Sequence, residues 1–284
     1  MDASRSWEVS ATYHSNPVSI PGVDCFRTDL TDADCVVTIR RRSPDLIIHC
    51  AAQTGVDFCE EHPEEAYRQN VLASVRVAEA ARQSGARLIH ISTDAVFPGD
   101  RGDYRESDLT GPANVYGKTK LEAERQVAAA LPDACIARTN IYGWNLRNKS
   151  SLAEWMIDRL DKKERMPAFR DVIFTPLLVN DLGDALFDLY RRDYHGVIHV
   201  CGGEACSKMD FAYLIADVFG LDPGLILPSS VDGAGLKAPR GKNTSLNTDL
   251  AARVLGRRLP GVRQGLERMR RLKEDGYVEE LKHG

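Results

Sequence analysis

At 284 residues, 43% hydrophobic and 27% charged, the chain carries enough apolar material for one large or two unequal globular units with a real core. Its net charge of −4 excludes a general attraction to nucleic acid or to an anionic membrane, so any anionic ligand must be met by local groups. No apolar stretch approaches the ~20 residues that span a bilayer, and Met1 to Trp7 lacks the apolar core of a signal peptide, so a cytoplasmic location is expected.

The seven cysteines, at positions 25, 35, 50, 59, 135, 201 and 206, lie mostly inside apolar segments without paired metal spacings. They are expected to be buried thiols, with no metal site. In chain order, Trp7 to Thr12 alternates like a short strand, and Val23 to Phe26 follows a Pro/Gly/Asn-rich loop. Asp29 stands before Thr31-Asp32 and suits a helix cap. Asp45 to Cys50 is an almost continuous apolar strand ending in Ala51-Ala52, small residues that let a flat ligand approach the backbone. A helix is expected from Pro63 to Ser84, with Asn70 inside it. Asp57, Glu60 and Glu61 read as surface or capping charge.

The most informative stretch runs from Arg87 to Glu124. Arg87 to Thr93 is an apolar run without turn residues, the pattern of a parallel-sheet strand buried on both faces. Ser92 and Thr93 then lie at its carboxyl end, where open α/β sheets bind ligands. Pro112, Asn114 and the residues after them predict a helix that carries Tyr116 and Lys120 one turn apart on one face. An ammonium held near a phenol favours the phenolate and draws its pKa from ~10 towards the working range. Tyr116 is therefore read as the acid–base group, Lys120 as its tuner and Thr93 as a hydrogen-bonding partner of the same substrate oxygen. The competing reading of such a pair is a solvated helix face.

Ala134 to Thr139 is a further buried strand, followed by Asn140-Ile141-Tyr142-Gly143. Ser151 opens a helix, Val179-Asn180-Asp181 opens another, and Gly196 to Val200 is a strand. Cys206 to Phe219 places Phe211, Leu214, Ile215 and Val218 on one buried helical face. Leu225 to Pro228 is a short strand, Ala238 to Lys242 a basic loop that either meets nucleotide phosphates or is simply solvated, and Leu255 to Lys282 a charged helical tail. Alternating strands and helices predict a Rossmann-like, doubly wound parallel α/β sheet with a smaller C-terminal lobe. The division expected is 1–145 for dinucleotide binding, with a later strand around 172–200 returning to it, and 146–171 plus 201–284 for the substrate lobe.

Ser92-Thr-Asp94, Val96-Phe-Pro-Gly99, Pro112 to Lys120 and His49-Cys-Ala-Ala52 resemble the extended short-chain dehydrogenase/reductases. Within these they are most similar to the dTDP-4-dehydrorhamnose reductases and the related beta subunit of methionine adenosyltransferase. The resemblance implies an NADP cofactor, with NAD as the alternative, lying along Asp29, Leu30, Cys50, Ala51, Ala52, Asn70, Ser92, Tyr116, Lys120, Asn140 and Ile141. It implies a nucleotide-linked sugar meeting Thr93, Asp94, Ala95, Trp144, Phe174 and Arg240, with core packing the competing role for Phe174. The activity implied is reduction of a 4-keto sugar nucleotide. A non-catalytic regulatory subunit is the rival, and a homodimer is left open. Thr12-Tyr-His-Ser15 offers neither a carboxylate to repel a 2′-phosphate nor an arginine to grip it, which leans towards NADP.

The same resemblance exposes a gap. Family members begin with a strand and a Gly-x-x-Gly-x-x-Gly turn, and no such pattern occurs in the first 50 residues. The expected consequence is a sheet interrupted at its centre, with two unpaired edges and no backbone cradle for a pyrophosphate. Two origins are open: Met1 falling inside the first helix of a longer native protein, or a cofactor-free member that covers the gap by pairing with another chain.

Overall fold

The computed structural model describes residues 7–145 and 150–283. In chain order it runs β1 (Ser10–Tyr13), β2 (Asp24–Arg27), α1 (Asp34–Arg40), β3 (Leu46–His49), α2 (Val56–Glu61) and α3 (Pro63–Tyr67). It continues through a π-turn (Arg68–Leu72), α4 (Ala73–Ser84), β4 (Arg87–Thr93), α5 (Val115–Ala130), β5 (Cys135–Thr139) and β6 (Ile141–Tyr142). Next come α6 (Leu152–Asp161), β7 (Met166–Phe169), β8 (Ile173–Phe174), β9 (Leu177–Leu178), α7 (Val179–Arg191) and β10 (Gly196–His199). The last third holds β11 (Cys206–Ser207), α8 (Lys208–Phe219), β12 (Ile226–Ser229), α9 (Asp249–Leu255), α10 (Val262–Glu274) and α11 (Tyr277–His283).

The expected parallel α/β sheet is present in two pieces. β3, β4, β5 and β10 form one sheet in the order β10-β5-β4-β3, and β1 pairs with β2 in a second. All these pairings are parallel. Among the described residues, β1 and β3 each keep one unpaired edge. Leu46, Ile47 and Ile48 of β3 are accordingly only half-buried, and Cys50 just beyond is exposed, unlike the buried thiol expected there. The smaller piece is tied to the main body by Trp7, whose ring lies 5.0 Å from Phe187 and 5.7 Å from Tyr190 on α7.

Strand alternation divides the sheet into two chemically different faces. Leu46 and Ile48 of β3 and Ile89 and Ile91 of β4 meet Leu182, Leu186 and Leu189 of α7 and Ala251 and Leu255 of α9. On the opposite face Ile47 and Leu88 meet Val36 of α1, Val77 of α4 and Val127 of α5. That second face turns polar towards the carboxyl ends of the strands, at His49, His90, Ser92 and Arg138, all buried.

A third cluster joins Tyr142, α6, β7, α8 and α10 into a separate lobe core. α9 and Leu259 pack on the sheet with α7 instead. The helix expected from Pro63 to Ser84 is present, with a π-turn inserted at Arg68–Leu72 within which Asn70 is completely buried. No described helix is long and apolar enough to cross a membrane.

Candidate active site

The site is organised by the start of α5. Asn114 caps the helix, its side-chain oxygen accepting the Gly117 N–H at 2.9 Å. Glu60 of α2 accepts the Val115 N–H at 2.9 Å, satisfying a second helix-end donor. A Cβ on Gly117 would stand 2.2 Å from the Ala95 carbonyl oxygen. Only glycine lets the helix approach the end of β4 this closely. Asp57, Glu60 and Glu61, expected as surface or capping charge, therefore include one structural cap, and the other two act elsewhere in the site.

From that docked start, positions 116, 120 and 124 descend one face of α5 onto β4. Burial pushes the Tyr116 phenol up to about 12, with the neighbouring Thr93 hydroxyl opposing. Thr93 is itself held, donating to Asp94 Oδ1 at 3.1 Å and accepting from the Ala95 N–H at 3.2 Å. One turn on, Lys120 is buried and donates to the Ile91 carbonyl at 2.7 Å, with His90 Nε2 at 3.4 Å. Burial pushes its ammonium down to about 8, with the Glu124 carboxylate opposing. A further turn on, Glu124 accepts from Ser92 Oγ at 2.5 Å and pairs with Arg138 at 2.7 Å, both charges buried. Ser92 is thus turned inward onto α5, away from the strand-end crevice.

Asn70 acts as a tie. Its Oδ1 accepts the Gln53 N–H at 2.7 Å, and its Nδ2 donates to the Gln53 carbonyl at 3.2 Å and to Thr119 Oγ1 at 3.0 Å. The π-turn, a feature that concentrates at functional positions, turns this amide towards both the loop after β3 and the residue preceding Lys120.

Around the carboxyl edge, Cys50, Ala51 and Ile141 are exposed and Ala52 and Asn140 half-buried. Asp29 accepts from Thr31 N at 2.8 Å and Thr31 Oγ1 at 2.7 Å and meets His14 at 3.3 Å; these bonds close a turn ahead of α1, whose N-cap is Ala33, so the expected helix cap is not formed. Leu30 packs into the cluster beneath α1 and α4. The β1–β2 register sets Arg27 opposite Tyr13, which puts a guanidinium at the strand end where none was expected from the β1 segment alone. The pyrophosphate is less well served. Among the described residues, no strand or glycine turn stands between β1 and β3 to supply its backbone donors.

On the lobe side, Asp94 is buried and bonded to Asn140 Nδ2 and Thr244 Oγ1, each at 2.8 Å, while burial raises its pKa. Arg240 donates to Asp57 at 2.9 Å and to the Ala238 carbonyl at 2.7 Å, and Lys237 pairs with Glu61. With the Ala238 N–H bonded to Asp57 at 3.0 Å, these contacts latch the loop of residues 237–240 onto α2. Phe174 is core, edge-on to Phe211 at 5.4 Å. Trp144 donates to the Met269 carbonyl at 2.8 Å and packs edge-on to Phe219, facing α8 and α10. Sequence reasoning missed Lys208, a half-buried cation whose pKa burial lowers, with Asp94 opposing. It sits at the start of α8 and could have been found from its place one residue after the Ser207 cap.

A Tyr–Lys pair one helical turn apart, docked on the carboxyl edge of a parallel α/β sheet, defines a nucleotide-cofactor oxidoreductase site of the short-chain type. The chain belongs to the RmlD substrate binding domain family, whose profile matches residues 3–273. It is 34% identical over 233 residues to a dTDP-4-dehydrorhamnose reductase of Mycolicibacterium smegmatis, covering 80% of this chain and 69% of that protein. It is equally 34% identical, over 236 residues, to methionine adenosyltransferase 2 subunit beta of Bos taurus, covering 78% and 70%. Among solved structures, the dTDP-4-dehydrorhamnose reductase of Bacillus anthracis in complex with NADP superposes with a TM-score of 0.81 at 28% identity, covering 93% of this chain and 99% of that one.

Proposed function

We propose that this chain reduces a nucleotide-linked 4-keto sugar with NADPH, with dTDP-4-dehydrorhamnose as the substrate of first choice. The observation that carries the reading is the Tyr116–Lys120 pair one turn apart on α5, with Lys120 held against β4 at the sheet's carboxyl edge. A reduced nicotinamide, when bound, supplies the hydride. Tyr116 gives its phenolic proton to the substrate oxygen as that oxygen becomes a hydroxyl, and Thr93 orients the phenol. Lys120, positive below about pH 8, favours the phenolate left behind. Cys50, Ala51, Ala52, Asn140 and Ile141 would flank the cofactor, while Asp94, Asn140 and Thr244 would meet the sugar. Lys208 and Arg240 supply local positive charge for a diphosphate in a chain of net charge −4. Residues 146–171, of which 146–149 lie outside the described residues, and 201–284 apart from α9, which packs on the sheet, would form the lobe that holds the sugar nucleotide, a reading supported by the separate core of α6, α8 and α10.

A second reading, a regulatory subunit without turnover, is favoured by the similarity to the relative from Bos taurus. Oxidation of NADPH with dTDP-4-dehydrorhamnose separates the two. The expected result is substrate-dependent oxidation that falls at least ~10²-fold in Tyr116→Phe, the lower end of what a positioned general acid contributes. Equal rates in the two proteins would remove Tyr116 from the chemistry. No oxidation at millimolar NADPH, together with co-purification of a partner enzyme, would favour the regulatory reading.

A further inference from the structure

Beneath Lys120 lies a buried imidazole that the proposed reaction does not use. His90 is fully buried on β4, with Nε2 3.4 Å from Lys120 Nζ and the ring 5.4 Å from that of His49. An ammonium has only hydrogens to give, so Nε2 must be the acceptor and the ring proton must sit on Nδ1. His90 Nδ1 has no partner among the described residues. A buried donor left unpaired is costly, and an apolar residue of similar size would avoid that cost. Its neighbours on the same strand face, Leu88 and Ser92, are explained by the apolar cluster and by the bond to Glu124. His90 is explained only by what its other nitrogen does.

We propose that His90 is a positioning residue that keeps Lys120 charged and aimed, by accepting a hydrogen bond from its ammonium alongside the Ile91 carbonyl. Resting on the reductase reading of the Tyr116–Lys120 pair, it goes further by assigning the base of that site. The groups facing Lys120 fit this division. Burial lowers its pKa, while Glu124 from α5 and Cys50, just beyond β3, raise it. His49 is pushed down to about 3 by burial and by the Lys120 charge, and His90 well below its ordinary value by burial, Lys120 and His49. Both rings are therefore neutral at working pH. Ser74 fixes the outer ring: its hydroxyl donates to the Asn70 carbonyl at 2.6 Å, so at 3.0 Å it accepts from His49 Nε2–H. A neutral imidazole offers Lys120 a second acceptor, beside the Ile91 carbonyl, without a competing charge.

The test is the titration of Lys120 itself, read from its 13Cε–15Nζ NMR correlation in the 284-residue protein, which needs neither cofactor nor turnover. Wild type is expected to titrate near 8. His90→Phe and His90→Leu remove the acceptor, favour the neutral amine and should lower that midpoint by about one pH unit or more, the size of a hydrogen bond to a charged group. His90→Gln, whose amide oxygen accepts, should restore it to within a few tenths. If the reductase assay is active, the basic limb of its pH profile should move with the same midpoint. An unchanged midpoint in both apolar variants overturns the proposal, as does a shift that His90→Gln fails to rescue while remaining folded. Absence of turnover with a shifted midpoint would instead count against the reductase reading alone.

Discussion

Gly117→Ala separates a docking requirement from ordinary helix preference. In an exposed helix interior the change would stabilise by ~0.5–1 kcal/mol. Here the new Cβ would meet the Ala95 carbonyl oxygen at 2.2 Å and the Pro112 Cβ at 2.8 Å, where ordinary contact begins at 3.4 Å. Both neighbours are fixed, one as backbone and one as a ring, so relief requires the first turn of α5 to lift by about 1 Å. Overpacking of this kind costs ~1–3 kcal/mol, which outweighs the helix gain. At about 2–3 °C per kcal/mol, Tm should fall by a few degrees. Tyr116 moves with the turn and leaves Thr93, and misplacement of this size costs on the order of 10²-fold in kcat. Gly183→Ala in α7 is the matched control, because its Cβ meets nothing within 4 Å; it should raise Tm slightly and leave kcat alone. Thermal melts and initial rates on both variants decide the matter. A Gly117→Ala protein as stable as Gly183→Ala, with normal kcat, would refute the close-approach argument.

Two other expectations follow from the same geometry. Glu124→Gln strands the Arg138 guanidinium, whose side chain is only 6% exposed, and should cost ~3–5 kcal/mol in urea denaturation; a loss below 1 kcal/mol would mean the pair is screened by solvent. For cofactor binding, the missing donors between β1 and β3 predict a dissociation constant near or above ~1 mM for NADPH, so 1 mM NADPH should stabilise by only ~0.4 kcal/mol. A Tm rise of 5 °C or more in the 284-residue protein would show that the pyrophosphate finds other donors.

Much of the fold was legible because the strands β3, β4 and β5 are short apolar runs and α5 carries its cap, its glycine and its Tyr–Lys spacing in one stretch. What stayed hidden depends on register and on packing between distant segments. His90, Ser92 and Arg138 sit inside runs that read as apolar, and only strand pairing shows that they share one face under α5. Arg27 reaches the end of β1 through the neighbouring strand. Asp57 and Glu61 look like solvated charge until the loop carrying Lys237 and Arg240 folds back onto them from 180 residues away. Trp144 and Phe174, expected at the sugar, are claimed by the lobe core, since large aromatics are anchored by whichever apolar surface closes on them. The π-turn has no sequence signal of its own; it is visible only in where Asn70 points.

The polar face under α5 is a stability cost placed at the working end of the sheet. Lys120, Glu124, Arg138, His90 and His49 are all buried where apolar side chains would pack without desolvating a charge. The opposite face, with its uninterrupted contacts to α7 and α9, must offset that cost. The polar ladder is also unevenly supported. Its β4 and β5 members are paired on both sides, whereas His49 belongs to β3, which is paired on one side only among the described residues. Local opening should therefore begin at β3 and reach Lys120 through the His49–His90 contact before it disturbs Glu124 and Arg138. Any extended segment that paired with the free edge of β3 would order the end of the ladder at His49, and would tighten Lys120 without touching it.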